Sequence, residues 1–227
     1  HAAQWFPALE EVAAREHRRL LSMTKSACPA ANVRRYEEAL GREYTECSAW
    51  RADALATIAS LQPALVVMAS SSLYVRQGSE MPISLADWQE GTRHTALRLA
   101  SGNTKVLILQ DSPTAGFDVP GCLARSAWRP SLFSTACAIP QEAAMHSRVR
   151  QAEVNAIAGL PGVRYLDLTA SVCGAHACSP MSGGLVVFRD SHHLTTQFVR
   201  SLVPAMETEV DALLSPNRDR KSTRLNS

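Results

Sequence analysis

Apolar-rich runs stand at 64–69, 105–110 (with Val106 to Leu109 as its core) and 163–168, each a few residues long and each closed by polar or turn-forming residues. Runs of that length and composition read as strands buried on both faces of a parallel sheet. A shorter run at 20–23 reads as a further strand. Between these runs the apolar positions recur at helical spacing. Residues 2–19 place Trp5, Leu9, Val12 and Ala13 on one face, with charged side chains elsewhere. A helical pattern covers 34–60, with a break expected near Gly41, strongest over 48–60 and stopped by Pro63. Further helices are predicted over 84–100, 140–158 and 195–214. The stretch 112–140, rich in proline, reads as a long irregular connection that Cys122 and Cys137 are placed to tie down.

This alternation of helix and strand predicts an α/β fold, a mainly parallel sheet covered by helices on both faces. Ligands of such sheets bind beyond the carboxyl ends of the strands. Ser70, Ser71 and Ser72, the pair Asp111-Ser112, and the segment Asp190 to His193 all follow strand-like runs, so one rim is expected to hold them.

At 227 residues and 46% hydrophobic, the chain can bury one sizeable core. A net charge of +2 without a basic tract gives no footing for nucleic acid. No apolar run approaches the length of a membrane helix. Cysteines stand at 28, 47, 122, 137, 173 and 178. An even number in turn-rich contexts suits three disulfides and an oxidising compartment, with the connectivity left open. Sequential pairing would close three local loops.

The chemistry concentrates near the C-terminal end. An acid three residues before a histidine, at a strand-to-helix junction, can hold the imidazole in one tautomer. Asp190 and His193 have that spacing, and His192 is expected to point elsewhere as a structural residue. Cys173, His176 and Cys178 offer three zinc-ligand types in six residues, but no fourth follows at standard spacing. A disulfide is the better reading, and neither a metal nor a cofactor is expected. Asp111 is balanced between touching substrate and capping a turn. The four tryptophans read as packing residues before they read as a sugar platform.

Asp190-x-x-His193-Leu194-Thr195 resembles the last motif block of the SGNH hydrolases, in the form used by extracytoplasmic domains fused to membrane acyltransferases. Lys25-Ser26-x-Cys28-Pro29, Asp111-Ser112-Pro113, Val119-Pro120-x-Cys122-Leu123 and Gly184-Leu185-Val186-Val187-Phe188-Arg189-Asp190 fit in order and spacing. The opening His1-Ala2-Ala3-Gln4-Trp5 looks like the continuation of the family's Gly-Asp-Ser-His motif. The resemblance therefore implies a nucleophilic serine immediately upstream of His1, outside this chain. It implies a flavodoxin-like three-layer sandwich with strand order 2-1-3-4-5, whose central first strand would also lie upstream. The chain as it stands is accordingly expected to be poorly folded and inactive.

The resemblance further implies acyl transfer through an acyl-serine. His193 is the general base and Asp190 its orienter. Two family blocks depart from the pattern: no glycine stands in 24–31, and Ala69-Ser70-Ser71-Ser72 replaces Gly-x-Asn. Ser71 and Ser72 are the candidate oxyanion donors. The implied parent is a periplasmic domain of an inner-membrane O-acyltransferase that modifies a polysaccharide such as O-antigen, lipopolysaccharide or exopolysaccharide. An N-terminal membrane domain would deliver the acyl donor. A secreted carbohydrate esterase and a non-catalytic glycan-binding domain are the alternatives. The domain is expected over 1–214, with a frayed end at 215–218. The tail 219–227 reads as the translation of a sequencing adapter and is set aside.

Overall fold

The structure, a computed structural model, describes residues 1–75, 82–128 and 137–215. Residues 216–218 of the expected frayed end and the expected adapter tail lie outside them. At the centre stands a parallel three-stranded sheet, β1 (Leu65–Ala69), β2 (Lys105–Leu109) and β3 (Val163–Leu166), in the order β1-β2-β3. The register pairs Val66 with Val106 and Val106 with Val163, carrying the three strand ends to one rim. The expected α/β architecture with a parallel sheet is therefore present.

Alternation along β2 assigns the two layers. Leu107 and Leu109 face a core shared with α1 (Phe6–Arg15), α6 (Thr196–Ser201) and α7 (Val203–Leu214). Val106 and Ile108 face the opposite core, with Leu55, Ala96, Leu99, Ala156 and Ile157. Those residues belong to α2 (Thr45–Leu61), α3 (Leu85–Leu99) and α5 (Ser147–Ile157). Successive strand side chains point to opposite faces, so one strand serves two hydrophobic layers. β2 is buried almost throughout, whereas Leu65, Val66 and Val67 of β1 are half-buried along the sheet edge. An apolar edge strand of this kind presents unpaired backbone groups to a further strand.

Several expectations are corrected. Leu20–Met23 forms no strand; it pairs with no neighbour among the described residues, and Leu21 is 56% exposed. Residues 34–44 form no α-helix; a 3-10 turn at Glu38–Leu40 is the helical piece there. A two-residue hairpin pairs Tyr36 with Glu43, and Gly41 turns it with φ of +61°, where a side chain would be strained. The irregular 112–140 stretch contains a helix, α4 (Val119–Trp128), whose Pro120 sits in the first turn where proline is tolerated. The predicted helix over 140–158 is divided: one turn at Gln141–Ala144, extended backbone at Met145, then α5. The last helix bends between α6 and α7 at Leu202, one residue before Val203-Pro204.

The three disulfides pair sequentially: Cys28–Cys47, Cys122–Cys137 and Cys173–Cys178. The last consumes both thiols of the zinc candidate, whose His176 is exposed. The first ties the loop after α1 to α2. Arg51 reinforces it from within, donating to Pro29 O, Asn32 Oδ1 and Val33 O. Gly91 in α3 lets that loop come close, since a Cβ there would meet Asn32 O at 2.8 Å. None of the described helices is long and apolar enough to cross a membrane.

Candidate active site

The Asp190–His193 loop is clamped at both ends before its side chains are considered. Thr195 N–H donates to Val187 O at 2.9 Å, and Arg189 N–H donates to His193 O at 2.9 Å. Val187 and Phe188 are fully buried, which fixes the entry to the loop. Thr195 closes it as the N-cap of α6, its Oγ1 accepting from Phe198 N–H and donating to Val186 O.

Within this clamp Asp190 Oδ1 accepts the backbone N–H groups of His192 and His193, at 2.8 and 2.7 Å. Its Oδ2 accepts from His193 Nδ1 at 2.7 Å. Partial burial works against ionisation of Asp190, but these donors outweigh it and hold the carboxyl down at about 2. With Nδ1 donating to a carboxylate, Nε2 is the basic nitrogen of His193. The pair expected from the sequence is thus in hydrogen-bond contact, with the base nitrogen turned away from its orienter.

His1 lies beside this pair. Its ring centroid is 4.8 Å from that of His193, and it stacks on His192 at 5.1 Å. His1 Nδ1 donates to Asp111 Oδ1 at 2.8 Å. Asp111 is the hub between the other two strand ends. Its Oδ2 accepts both the N–H and the hydroxyl of Ser72 at 2.7 Å, and its Oδ1 accepts Ser112 N–H at 2.9 Å. The serine run, Asp111-Ser112 and the Asp190 loop therefore do share one rim. Asp111 acts there as a side-chain clamp.

Two expectations about this rim change. Ser72 gives both its donors to Asp111, so in this arrangement they are not offered to an oxyanion. Ser71 is 3% exposed and its Oγ accepts the Leu73 N–H in a local turn. His192 does not point elsewhere: its ring is 4.1 Å from that of His193, and burial lowers its pKa. In a strand, consecutive side chains would diverge, but here both backbone N–H groups bend onto one carboxylate oxygen and the rings stay together. Of the tryptophans, Trp5 and Trp88 are buried in the core and Trp128 is 73% exposed.

Gln4 was not singled out by its sequence context. It is 7% exposed and bridges the two halves of the site. Its Nε2 donates to Ser112 Oγ at 3.3 Å, and its Oε1 accepts Leu194 N–H at 2.9 Å. Ser112 Oγ in turn donates to His192 O at 2.8 Å. Behind the rim, Glu153 accepts from Trp88 Nε1 at 3.1 Å and from Tyr165 OH at 2.8 Å. Burial pushes its carboxyl up to about 7 against the pull of those two donors.

The arrangement can deliver a base with a fixed tautomer to whatever lies against His193 Nε2. Comparison with known proteins bears on what that is. A solved structure described as the lipopolysaccharide acetyltransferase periplasmic domain of Salmonella ser. Paratyphi A superposes with a TM-score of 0.65. It is 14% identical over 91% of this chain and 78% of that one, a likeness of fold. No curated protein sequence matches. The family model described as the SGNH domain fused to AT3 domains matches residues 1–208. The chain belongs to that family of SGNH domains.

Proposed function

We propose that this chain is the catalytic domain of a periplasmic O-acyltransferase that works through an acyl-serine. The observation that carries the reading is the contact of His193 Nδ1 with Asp190 Oδ2, 2.7 Å, with the His1 ring against His193. The ring contact brings the start of the chain to His193, which supports reading the serine implied ahead of His1 as its partner. His193 Nε2 takes the proton as the serine oxygen attacks the acyl donor's carbonyl carbon, and gives it to the leaving group as the tetrahedral intermediate collapses. The same nitrogen, now free, accepts the proton of a sugar hydroxyl as that oxygen attacks the acyl-serine, and returns it to the serine oxygen as the ester forms and the serine departs. Asp190 keeps the imidazole oriented and stabilises its charged form. The upstream strand that carries the serine finds its partner in β1, whose apolar edge is half-buried.

Two findings support the choice of substrate class. The family is the SGNH type fused to AT3 domains, which fits delivery of the acyl donor by a membrane domain of the same protein. The fold neighbour's description names a lipopolysaccharide acetyltransferase, which fits an acetyl group and an envelope glycan. The three disulfides fit an oxidising compartment. The test is to read the codons upstream of His1, express the extended domain and trap it with an activated acetyl ester. Intact-mass analysis should find one acetyl group on the serine directly before His1. Labelling elsewhere, or another residue at that position, overturns the proposal.

A further inference from the structure

Three imidazoles converge where the reaction needs one. His1, His192 and His193 each present a ring nitrogen within 4.8 Å of the others. In each ring Nδ1 already has a partner: Asp111 Oδ1 at 2.8 Å, Ser191 Oγ at 2.8 Å and Asp190 Oδ2 at 2.7 Å. Histidines that ligate metals characteristically give their other ring N–H to a carboxylate or another oxygen, which fixes the tautomer and raises the basicity of the ligating nitrogen. Here two of the three rings are held by carboxylates and the third by a hydroxyl. All three Nε2 atoms are left as candidate ligands.

From this geometry we propose that His1, His192 and His193 form a binding site for a borderline transition-metal dication of the Zn²⁺ class, bound through Nε2. Imidazole suits such ions, and three imidazoles with one open position is a familiar zinc arrangement. Tetrahedral coordination at about 2.0–2.1 Å brings ligand nitrogens to roughly 3.3 Å apart. The rings present nitrogens within 4.8 Å of one another, so binding draws them inward from that spacing. Asp111 and Asp190 lie directly behind two of the ligands and offset the ion's charge.

The consequence for activity rests on the acyl-transfer reading, because the ion and the serine proton compete for His193 Nε2. A metal-loaded domain has no free base, so Zn²⁺ acts as a reversible inhibitor of the same site. Metal binding itself does not depend on that reading, and the two fail separately.

The experiment titrates Zn²⁺ alone into the upstream-extended domain, in which His1 carries no free α-amino group, in competition with a chromophoric chelator. One equivalent should bind, and X-ray absorption should show three imidazole nitrogens at about 2.0–2.1 Å from the metal. His192→Ala should weaken binding at least about tenfold, and Asp111→Asn by about 10–100-fold as an outer-shell change. Exchange of His17, His94 and His176 for glutamine together should leave affinity unchanged. Lack of uptake, fewer than three imidazoles at the metal, or unchanged affinity in His192→Ala overturns the site. The absorption measurement needs no substitution, so a variant that fails to fold does not rescue or condemn the proposal.

Discussion

Leu194 N–H donates to the side-chain oxygen of Gln4 at 2.9 Å, across 190 residues of chain. This bond, with the companion bond from Gln4 to Ser112, fastens the opening of the chain to the loop that carries Asp190 and His193. The bonds are buried, and that makes them consequential. Replacing Gln4 with alanine strands the Leu194 N–H, and a buried donor left without a partner costs about 1–3 kcal/mol. Gln4→Ala should lower unfolding stability by that amount in denaturant titrations. Gln4→Glu should recover the acceptor for Leu194 while losing the donor to Ser112, giving an intermediate loss.

Glu153 makes the fold sensitive to pH. Its carboxyl is pushed up to about 7 in the folded state from an ordinary value of 4.5, chiefly by burial. The folded state therefore holds this proton more tightly than the unfolded chain does. Its contribution is complete below about 4.5 and is lost as pH rises through about 7, a change on the order of 3 kcal/mol. Glu153→Gln removes the titration while an amide can still meet Trp88 and Tyr165. The variant should match the native chain near pH 4 and exceed it at pH 8 in thermal unfolding. Parallel curves across that range would assign the pH dependence to other groups.

The Cys28–Cys47 bridge spans 19 residues and pins the loop that packs against Gly91. Chain-entropy arguments put such a bridge at about 3 kcal/mol. Replacing both cysteines with alanine should lower stability by that order. Loss of the bridge also loosens the frame around the buried Arg51, so hydrogen exchange at residues 29–33 should rise first.

Much of this architecture was legible because its signals are local. Leu65–Ala69 and Val106 to Leu109 are contiguous apolar runs, Val163–Leu166 is apolar but for Arg164, and Thr195 ahead of Thr196–Ser201 is a cap readable from its neighbours. The Asp190–His193 pair was legible for the same reason, since three residues of spacing set their contact. The failures lie where distant partners decide. Residues 34–44 carry helix-forming glutamates and alanine, yet Gly41 and the Tyr36–Glu43 pairing turn them into a hairpin. Leu20–Met23 has the composition of a strand and no ladder to join. Gln4 binds residues 108 and 190 positions away, and nothing around it in the sequence marks it. Ser72 has the sequence context of an oxyanion donor, yet Asp111, 39 residues on, accepts from both its N–H and its hydroxyl.

Asp190 supplies a graded test of the proposed mechanism. Changing it to asparagine removes the negative charge and lets His193 adopt the other tautomer. In a serine–histidine–aspartate arrangement that change lowers kcat by about 10⁴ with little structural disturbance. The upstream-extended domain carrying Asp190→Asn should show a loss of about 10³–10⁴ in kcat on an activated acetyl ester. The KM should change little, because the carboxylate lies behind the base rather than against substrate.

His193 bears the central claim most directly. The measurement is turnover of an activated acetyl ester by the upstream-extended domain, with the native histidine and with His193→Ala, at matched folding judged by near-UV circular dichroism. The account predicts activity in the native extended domain, none from a chain that starts at His1, and a fall of at least about 10³-fold in His193→Ala. Unchanged turnover in His193→Ala would remove the base from the mechanism and contradict the account.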